Sequence, residues 1–365
     1  MPRQRVVIDV TAALYPSTGI GRSTRELVRA IARLAPPHEI VLFGRRLWGT
    51  ESIHEFGLRG IRVRLPRVFE RLFRMTRAIE LLTRGCLYHA TDHYLPTGRG
   101  ALTVATVHDT MFLARPETHI PDHARMARWA PAFARRCRRV ITCSQHSKRD
   151  IVEHLDVEPD RVVVIPWGLN ASFHPAPHPQ EIAGRLRDRL GLLRPYFLSV
   201  SCSSGRKNTP MLLQAYERLL RSDPARDLVL VWDAPREIRE RHHSQRIHFL
   251  GRQSEEELLR LYQGASVFIF PSLYEGFGLP VLEAMGCGVP VLCSSAASLP
   301  EVGGDAATYF DAEDVDSLVA AMENVERGRT GLSAQRASGL VQAARFSWER
   351  CAIETVRVYE RCLQE

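Results

Sequence analysis

The strongest constraint on the fold is an alternation along the chain: short β-branched, apolar runs recur, each followed by a stretch with helical spacing. In the first half the runs are RVVIDV, HEIVLFG, IRVRLP, ALTVATVHD, RRVITCS and RVVVIPWG; in the second they are PYFLSVS, DLVLVWD, RIHFLG, ASVFIFPS and GVPVLCS. Strands that are apolar along nearly their whole length are covered on both faces, as in parallel sheets flanked by helices. Two doubly wound α/β domains are therefore predicted. With 365 residues the chain exceeds what one core normally organises. The break is expected in WGLNASFHPAPHPQE, where Pro175, Pro177 and Pro179 exclude a regular element. This sets an N-terminal domain at 1–172 and a C-terminal domain from 173. Ligands of such sheets bind beyond the carboxyl ends of the strands, and two facing domains form a cleft there.

Hydrophobic content of 45% and charged content of 25% suit a soluble globular chain. No apolar run approaches the ~18–20 residues of a membrane span, and MPRQRVVIDV runs straight into a strand without a signal-peptide pattern. A cytoplasmic protein is expected. The eight cysteines form no Cys-x-x-Cys pair, which favours reduced, buried thiols over zinc or disulfides. The net charge of +8 is uneven: residues 1–172 hold 27 Lys+Arg against 16 Asp+Glu, the remainder 22 against 25. An N-terminal half at +11 suits an anionic partner, whether a phospholipid surface, a polyphosphate or a nucleic acid.

The chemistry concentrates in SLYEGFGLPVLEAMGCGVPVL, residues 272–292, where Glu275 and Glu283 stand with seven residues between them in an apolar frame. Buried carboxylates require partners. Gly276 and Gly278 allow close approach to a ligand, and Pro280 is expected to open a helix with Glu283 in its first turn. The start of such a helix is a seat for phosphate. Flanking carboxylates can accept hydroxyl protons, so the combination suits a sugar nucleotide. In SVSCSSGRKNTPMLLQ, Arg206 and Lys207 follow a strand and precede a helix, placed to wrap a diphosphate. Gly19, Ile20 and Gly21 in YPSTGIGRSTREL read as a tight loop beside the site, although the spacing misses the full dinucleotide fingerprint. His108 and Asp109 close the strand of TVATVHDT at the same edge.

Together these stretches resemble the retaining glycosyltransferases of family four, whose GT-B fold pairs two facing Rossmann-like domains around an interdomain cleft. The likeness runs through STGIGRSTRELVRAI, TVHDTMFLARPE, RRVITCSQHSKRDIV, VVVIPWGLNASFHP, FLSVSCSSGRKN and the long stretch from HFLGRQ to GCGVPV, then AASLPEV. It implies transfer of a hexose, with mannose from GDP-mannose as the family-level expectation, from a nucleotide diphosphate sugar to a hydroxyl acceptor. Glu275 would contact the transferred sugar and Glu283 the ribose. Arg206 and Lys207 would hold the diphosphate within a donor site that includes Gly276, Phe277, Gly278 and Leu279. His108, with Asp109 beside it, would orient a sugar hydroxyl, and Gly19 to Gly21 would shape the acceptor and phosphate side. The C-terminal helix, about 347–365, would cross back to the first domain and leave 173–346 as the second.

The chain departs from the family at Trp232 and Asp233, where a glycine is common, and at CSSG before Arg206. Asp314 to Asp316 superficially match a metal-binding Asp-x-Asp, but they open a helical pattern, so no obligatory metal or other cofactor is expected. In RVFERLFRMTRAIELLTR a helical projection gathers Arg67, Arg71 and Arg74 opposite Phe69, Leu72, Phe73 and Ile79. This is the pattern of a helix in an anionic interface and points to a glycan or lipid-linked acceptor at the inner membrane face; packing on the domain's own sheet is the alternative. Two rival functions share parts of the pattern. A sugar-nucleotide epimerase would need acid and base carboxylates in the first domain. A basic nucleic-acid-binding protein would need aromatic residues interleaved with the charges, or a recognised module; neither is present, and no nucleic acid is expected.

Overall fold

The computed structural model describes residues 4–14, 19–45, 53–63, 86–92, 102–116, 123–202 and 205–365. Arg67, Arg71 and Arg74 lie outside the described residues. Among those described, the chain forms two compact units, one of residues up to Gly168 together with Ser347–Glu365, the other Leu169–Phe346. The change of unit thus comes at 168 rather than 172. The Leu169 N–H bonds the Phe346 carbonyl, and Phe173 is buried against the Tyr262 ring, so both residues belong to the second core.

Among the described residues the first unit is built on a parallel sheet of seven strands: β1 (Arg5–Asp9), β2 (Glu39–Arg45), β3 (Arg59–Val63), β4 (Leu87–Ala90), β5 (Leu102–Thr106), β6 (Arg139–Thr142) and β7 (Val162–Val164). Their order is β3-β2-β1-β4-β5-β6-β7. The second carries β8 (Tyr196–Val200), β9 (Asp227–Val231), β10 (Ile247–Phe249), β11 (Val267–Phe270), β12 (Val291–Ser294) and β13 (Ala307–Phe310), in the order β10-β9-β8-β11-β12-β13. Every ladder is parallel, as near-continuous apolar strands require. The order reverses direction between β1 and β4 in one sheet and between β8 and β11 in the other, and such switch points open a crevice beyond the strand ends.

Two strands escape an apolar pattern search. β4 contains His89, a fully buried imidazole that pairs with Tyr359 Oη at 2.6 Å and Thr106 Oγ1 at 2.8 Å. Burial, with His108 adding and Asp9 opposing, pushes the His89 pKa down to about 3, so the ring is a neutral part of the core. β13 is an edge strand, half-buried except at Phe310, and shows no continuous apolar run.

The helix Trp348–Gln364 returns to the first unit. Ser347 caps it by accepting the Arg350 N–H, and Trp348, Cys351, Ala352, Thr355, Val356, Tyr359 and Cys362 turn one stripe inward. That stripe enters the core of Val6, Ile8, Leu27 and Ile31.

Gly168 lies where this returning chain crosses. A Cβ built there would stand 2.1 Å from the Trp348 nitrogen and 2.5 Å from the Ser347 carbonyl carbon, both backbone atoms that cannot turn aside. By contrast, Gly184, inside the helix Pro179–Leu190, has open space around its would-be Cβ. G168A is expected to destabilise the protein by ~3 kcal/mol or more, whereas G184A stabilises it by ~0.5–1 kcal/mol. Urea unfolding midpoints of the two variants check this, and a G168A midpoint equal to the parent's refutes the crossing as a constraint.

Candidate active site

In the second unit the switch point between β8 and β11 gathers three of the charged candidates. Beyond β8 the chain makes a tight turn, Gly205–Lys207, before the helix Thr209–Leu220. Beyond β11 it makes the loop that carries Glu275. The loops are tied together: the Leu273 N–H donates to the Arg206 carbonyl at 2.8 Å, and Arg206 Nη1 donates to the Tyr274 carbonyl at 3.3 Å. Between them Glu275 is 7% exposed. Arg206 Nη1 lies 2.6 Å from its Oε2 and Lys207 Nζ 2.7 Å from its Oε1. Lys207 Nζ also stands 4.4 Å from the centroid of the buried Phe270 ring.

Burial by itself would raise the Glu275 carboxyl, but the charges and hydrogen bonds of Arg206 and Lys207 outweigh it and hold the pKa at about 2, below the ordinary 4.5. Burial lowers the Lys207 ammonium; Glu275 opposes that shift and Arg206 adds to it. The trio is a buried cluster with one excess positive charge, open chemically to an anion.

Glu283 is placed differently from the sequence expectation. The helix runs Leu279–Gly286, with Gly278 at the N-cap in a left-handed conformation (φ 110°), so Pro280 is its second residue and Glu283 lies beyond the first turn. The reason is local: Gly278 takes a conformation closed to other residues, and its carbonyl already accepts from Val281 at 3.0 Å. Glu283 is buried, and its Oε2 accepts from the Tyr262 hydroxyl at 3.1 Å. Phe277, Gly276 and Gly278 are buried, Leu279 is half-buried, and the Phe277 ring meets Phe346 edge-on at 5.7 Å.

His108, Asp109 and Gly19 to Gly21 belong to the first unit. His108 is buried two residues past β5, its Nε2 2.8 Å from the Thr91 carbonyl and its ring edge-on to Trp167 at 5.2 Å. A carbonyl only accepts, so Nε2 carries a proton and donates to it. Asp109 Oδ1 accepts the Met111 N–H at 3.1 Å, which opens the short helix Met111–Ala114. Gly19, Ile20 and Gly21 are not a loop; they form the first turn of the helix Gly19–Leu34, where Ser23 Oγ donates to the Ile20 carbonyl. Gly19 has neither a positive φ nor a neighbour within 4 Å of a would-be Cβ, so a helix start serves it as well as a turn.

Sequence reasoning passed over two residues. Asp9, buried at the end of β1, accepts from Tyr88 Oη at 2.7 Å and the Thr11 N–H at 2.9 Å; an acid closing an apolar strand is its signal. Tyr262, the partner of Glu283, stands on the apolar stripe of the helix Glu255–Gly264 and reads as plain core. Asp314 caps the helix Val315–Glu326 and Asp316 pairs with Arg218. Among the described residues no helix is long and apolar enough to cross a membrane.

The family described as Glycosyltransferase Family 4 matches residues 17–173, and that described as Glycosyl transferases group 1 matches residues 188–344. O-antigen chain mannosyltransferase B of Escherichia coli is 31% identical over 380 aligned residues, which take in 98% of this chain and 99% of that protein. This chain belongs to glycosyltransferase family 4. Among solved structures, sucrose-phosphate synthase from Thermosynechococcus elongatus is similar with a TM-score of 0.79 at 20% identity, covering 98% of this chain and 99% of that one. HepE of Anabaena, solved in complex with UDP-glucose, gives 0.76 at 16% identity, covering 98% and 100%. At such identities the likeness is one of fold: both units of this family 4 glycosyltransferase carry the Rossmann-like sheets of the GT-B class.

The pairing of Glu275 has a measurable consequence in this glycosyltransferase. Its folded pKa, about 2, is depressed below the ordinary 4.5, so the carboxylate stabilises the fold above pH ~4.5 and that contribution is lost as pH falls toward ~2. E275Q leaves two cations with no counter-charge and is expected to lower stability at pH 7 by ~3 kcal/mol. The gap between parent and variant should then close as the pH drops through that window. Unfolding measured from pH 7 to pH 2 checks the sign; a gap that widens in acid contradicts the pairing.

Proposed function

We propose that this family 4 glycosyltransferase moves a hexose, mannose in the first instance, from a nucleoside diphosphate sugar to a hydroxyl acceptor with retention at the anomeric carbon. The observation that carries the reading is the Arg206–Glu275–Lys207 cluster at the switch point of the second sheet. Mannose and a role in polysaccharide assembly are suggested by the Escherichia coli relative, named an O-antigen chain mannosyltransferase. A nucleotide-sugar donor is suggested by the UDP-glucose bound to the structural neighbour HepE.

In this reading the bond from the anomeric carbon to the diphosphate oxygen breaks while the bond to the acceptor oxygen forms on the same face, and the acceptor's proton passes to the departing phosphate. Negative charge grows on the diphosphate as it leaves. Arg206 offers it a planar pair of donors and Lys207 a point charge, both already fixed by Glu275 and therefore needing little reorganisation. These cations take the part that a divalent ion plays elsewhere, so neither a metal nor another cofactor is part of the proposal. Glu275 faces the transferred sugar, Glu283 accepts from the ribose hydroxyls, and His108 orients a sugar hydroxyl. The +11 charge of residues 1–172 supports a glycan or lipid-linked acceptor and peripheral attachment through Arg67, Arg71 and Arg74.

Incubation with a panel of nucleotide sugars is expected to consume GDP-mannose with release of GDP, and proton NMR of the product should show the donor's anomeric configuration. Release of nucleoside diphosphate from none of the sugars overturns the reading. E275Q, assayed where it remains folded, is expected to lose ~10²-fold in turnover. R206A and K207A should each weaken nucleoside diphosphate binding by ~2 kcal/mol or more; calorimetry giving the parent's affinity for both moves the diphosphate away from these cations.

A further inference from the structure

Ser298 stands at the N-cap of the short helix Leu299–Gly303, yet its side chain makes no capping bond. A serine in that place ordinarily accepts a backbone N–H from the first turn. Here its hydroxyl lies 2.8 Å from the Glu275 carbonyl oxygen and 2.9 Å from that of Phe277. Ser298 is fully buried, so its one hydroxyl proton is shared between these two carbonyls in a three-centre bond and is not offered to solvent. The next residue presses on the same loop: a Cβ added at Gly278 would come within 2.7 Å of Leu299 Cδ2. The start of this helix therefore braces the loop that bears Glu275 at two successive positions.

We propose that Ser298 is a positioning residue for glycosyl transfer, a single buried hydroxyl that fixes the peptide planes on either side of Gly276 and Phe277. Peptide units are planar, and this chain has no cis bond among its described residues. Turning the carbonyls of Glu275 and Phe277 toward Ser298 therefore turns the N–H groups of Gly276 and Gly278 the opposite way. Without the hydroxyl, a loop containing two glycines has backbone freedom to rotate those planes. Rotation would carry the Glu275 side chain out of register with Arg206 and Lys207. Leu273 and Tyr274 are held independently by Arg206, so the loss falls on the segment from Glu275 to Gly278.

The inference rests on the transfer reading above, and a second buried serine makes its test specific. Ser294 at the end of β12 donates to the Ser272 carbonyl at 2.5 Å and is equally buried, but it meets the loop three residues before Glu275. S298A and S294A each delete one buried hydroxyl. S298A is expected to lower kcat by ~10-fold or more, since small misplacements of a reacting group are costly, with nucleoside diphosphate affinity no lower than the parent's. S294A should keep kcat within ~2-fold at a comparable loss of Tm. Hydrogen-exchange mass spectrometry should show faster exchange over residues 275–279 in S298A alone. Equal kcat and equal exchange in the two variants overturn the proposal, as does a fall in kcat matched by an equal fall in nucleotide affinity. If the parent transfers sugar from no donor, the functional reading fails, and the exchange comparison still decides whether Ser298 holds the loop.

Discussion

A carboxylate with almost no solvent contact, clamped between a guanidinium and an ammonium, is the interaction on which the second unit is organised. Removing three charges from water is expensive, and mutual attraction offsets it only when the geometry is close and the remaining hydrogen-bonding positions are filled. Here each cation meets its own oxygen of Glu275, the Phe270 ring lies beside Lys207, and Arg206 also reaches the Tyr274 carbonyl. Each of these contacts requires β8 and β11 to be neighbours, so the strand order of the sheet and the chemistry of the loops depend on each other.

In the first unit, hydroxyls and backbone groups partner the buried polar side chains. His89 is neutral between Tyr359 and Thr106, Asp9 accepts from Tyr88 and Thr11, and the His108 ring donates to the Thr91 carbonyl. A buried polar network is stabilising only when its members are satisfied. One partner, Tyr359, comes from the helix Trp348–Gln364. The chain's return to this unit after residue 346 therefore completes a core that residues up to Gly168 leave short of a hydroxyl as well as of apolar area.

How much could be read in advance divides along physical lines. Parallel sheets were legible because strands covered on both faces leave a continuous apolar trace; Glu275 stood out because charge in an apolar frame demands a partner, and Arg206 and Lys207 because two cations between a strand and a helix can wrap a diphosphate. Their contact with one another was not legible. Arg206 and Glu275 meet only because β11 lies beside β8, with β9 and β10 on the other side, and that adjacency follows from handedness and packing over the whole sheet. β4 was hidden by His89, whose neutrality is set by burial. Gly19 and Gly21 suggested a turn but lie in a helix, since glycine permits a turn without requiring one. Ser298 was invisible for a related reason: its bonds are to backbone carbonyls, which carry no trace in side-chain pattern.

The two glutamates of the opening motif show how environment divides roles between identical groups. Glu275 spends both oxygens on cations and is held ionised down to about pH 2, whereas Glu283 accepts from the neutral Tyr262 hydroxyl. Glu275 also tempers the cations. With it in place the trio carries +1, and under the proposed function a diphosphate would meet a site weaker than two bare cations would make. On the proposed reading this moderation has a kinetic use. A grip that held substrate and product as tightly as the transition state would deepen the ground states and gain no rate. A partly neutralised pair is strengthened most at the moment negative charge accumulates on the leaving oxygens, and the carboxylate that buries those cations is then also the group that lets the spent diphosphate go.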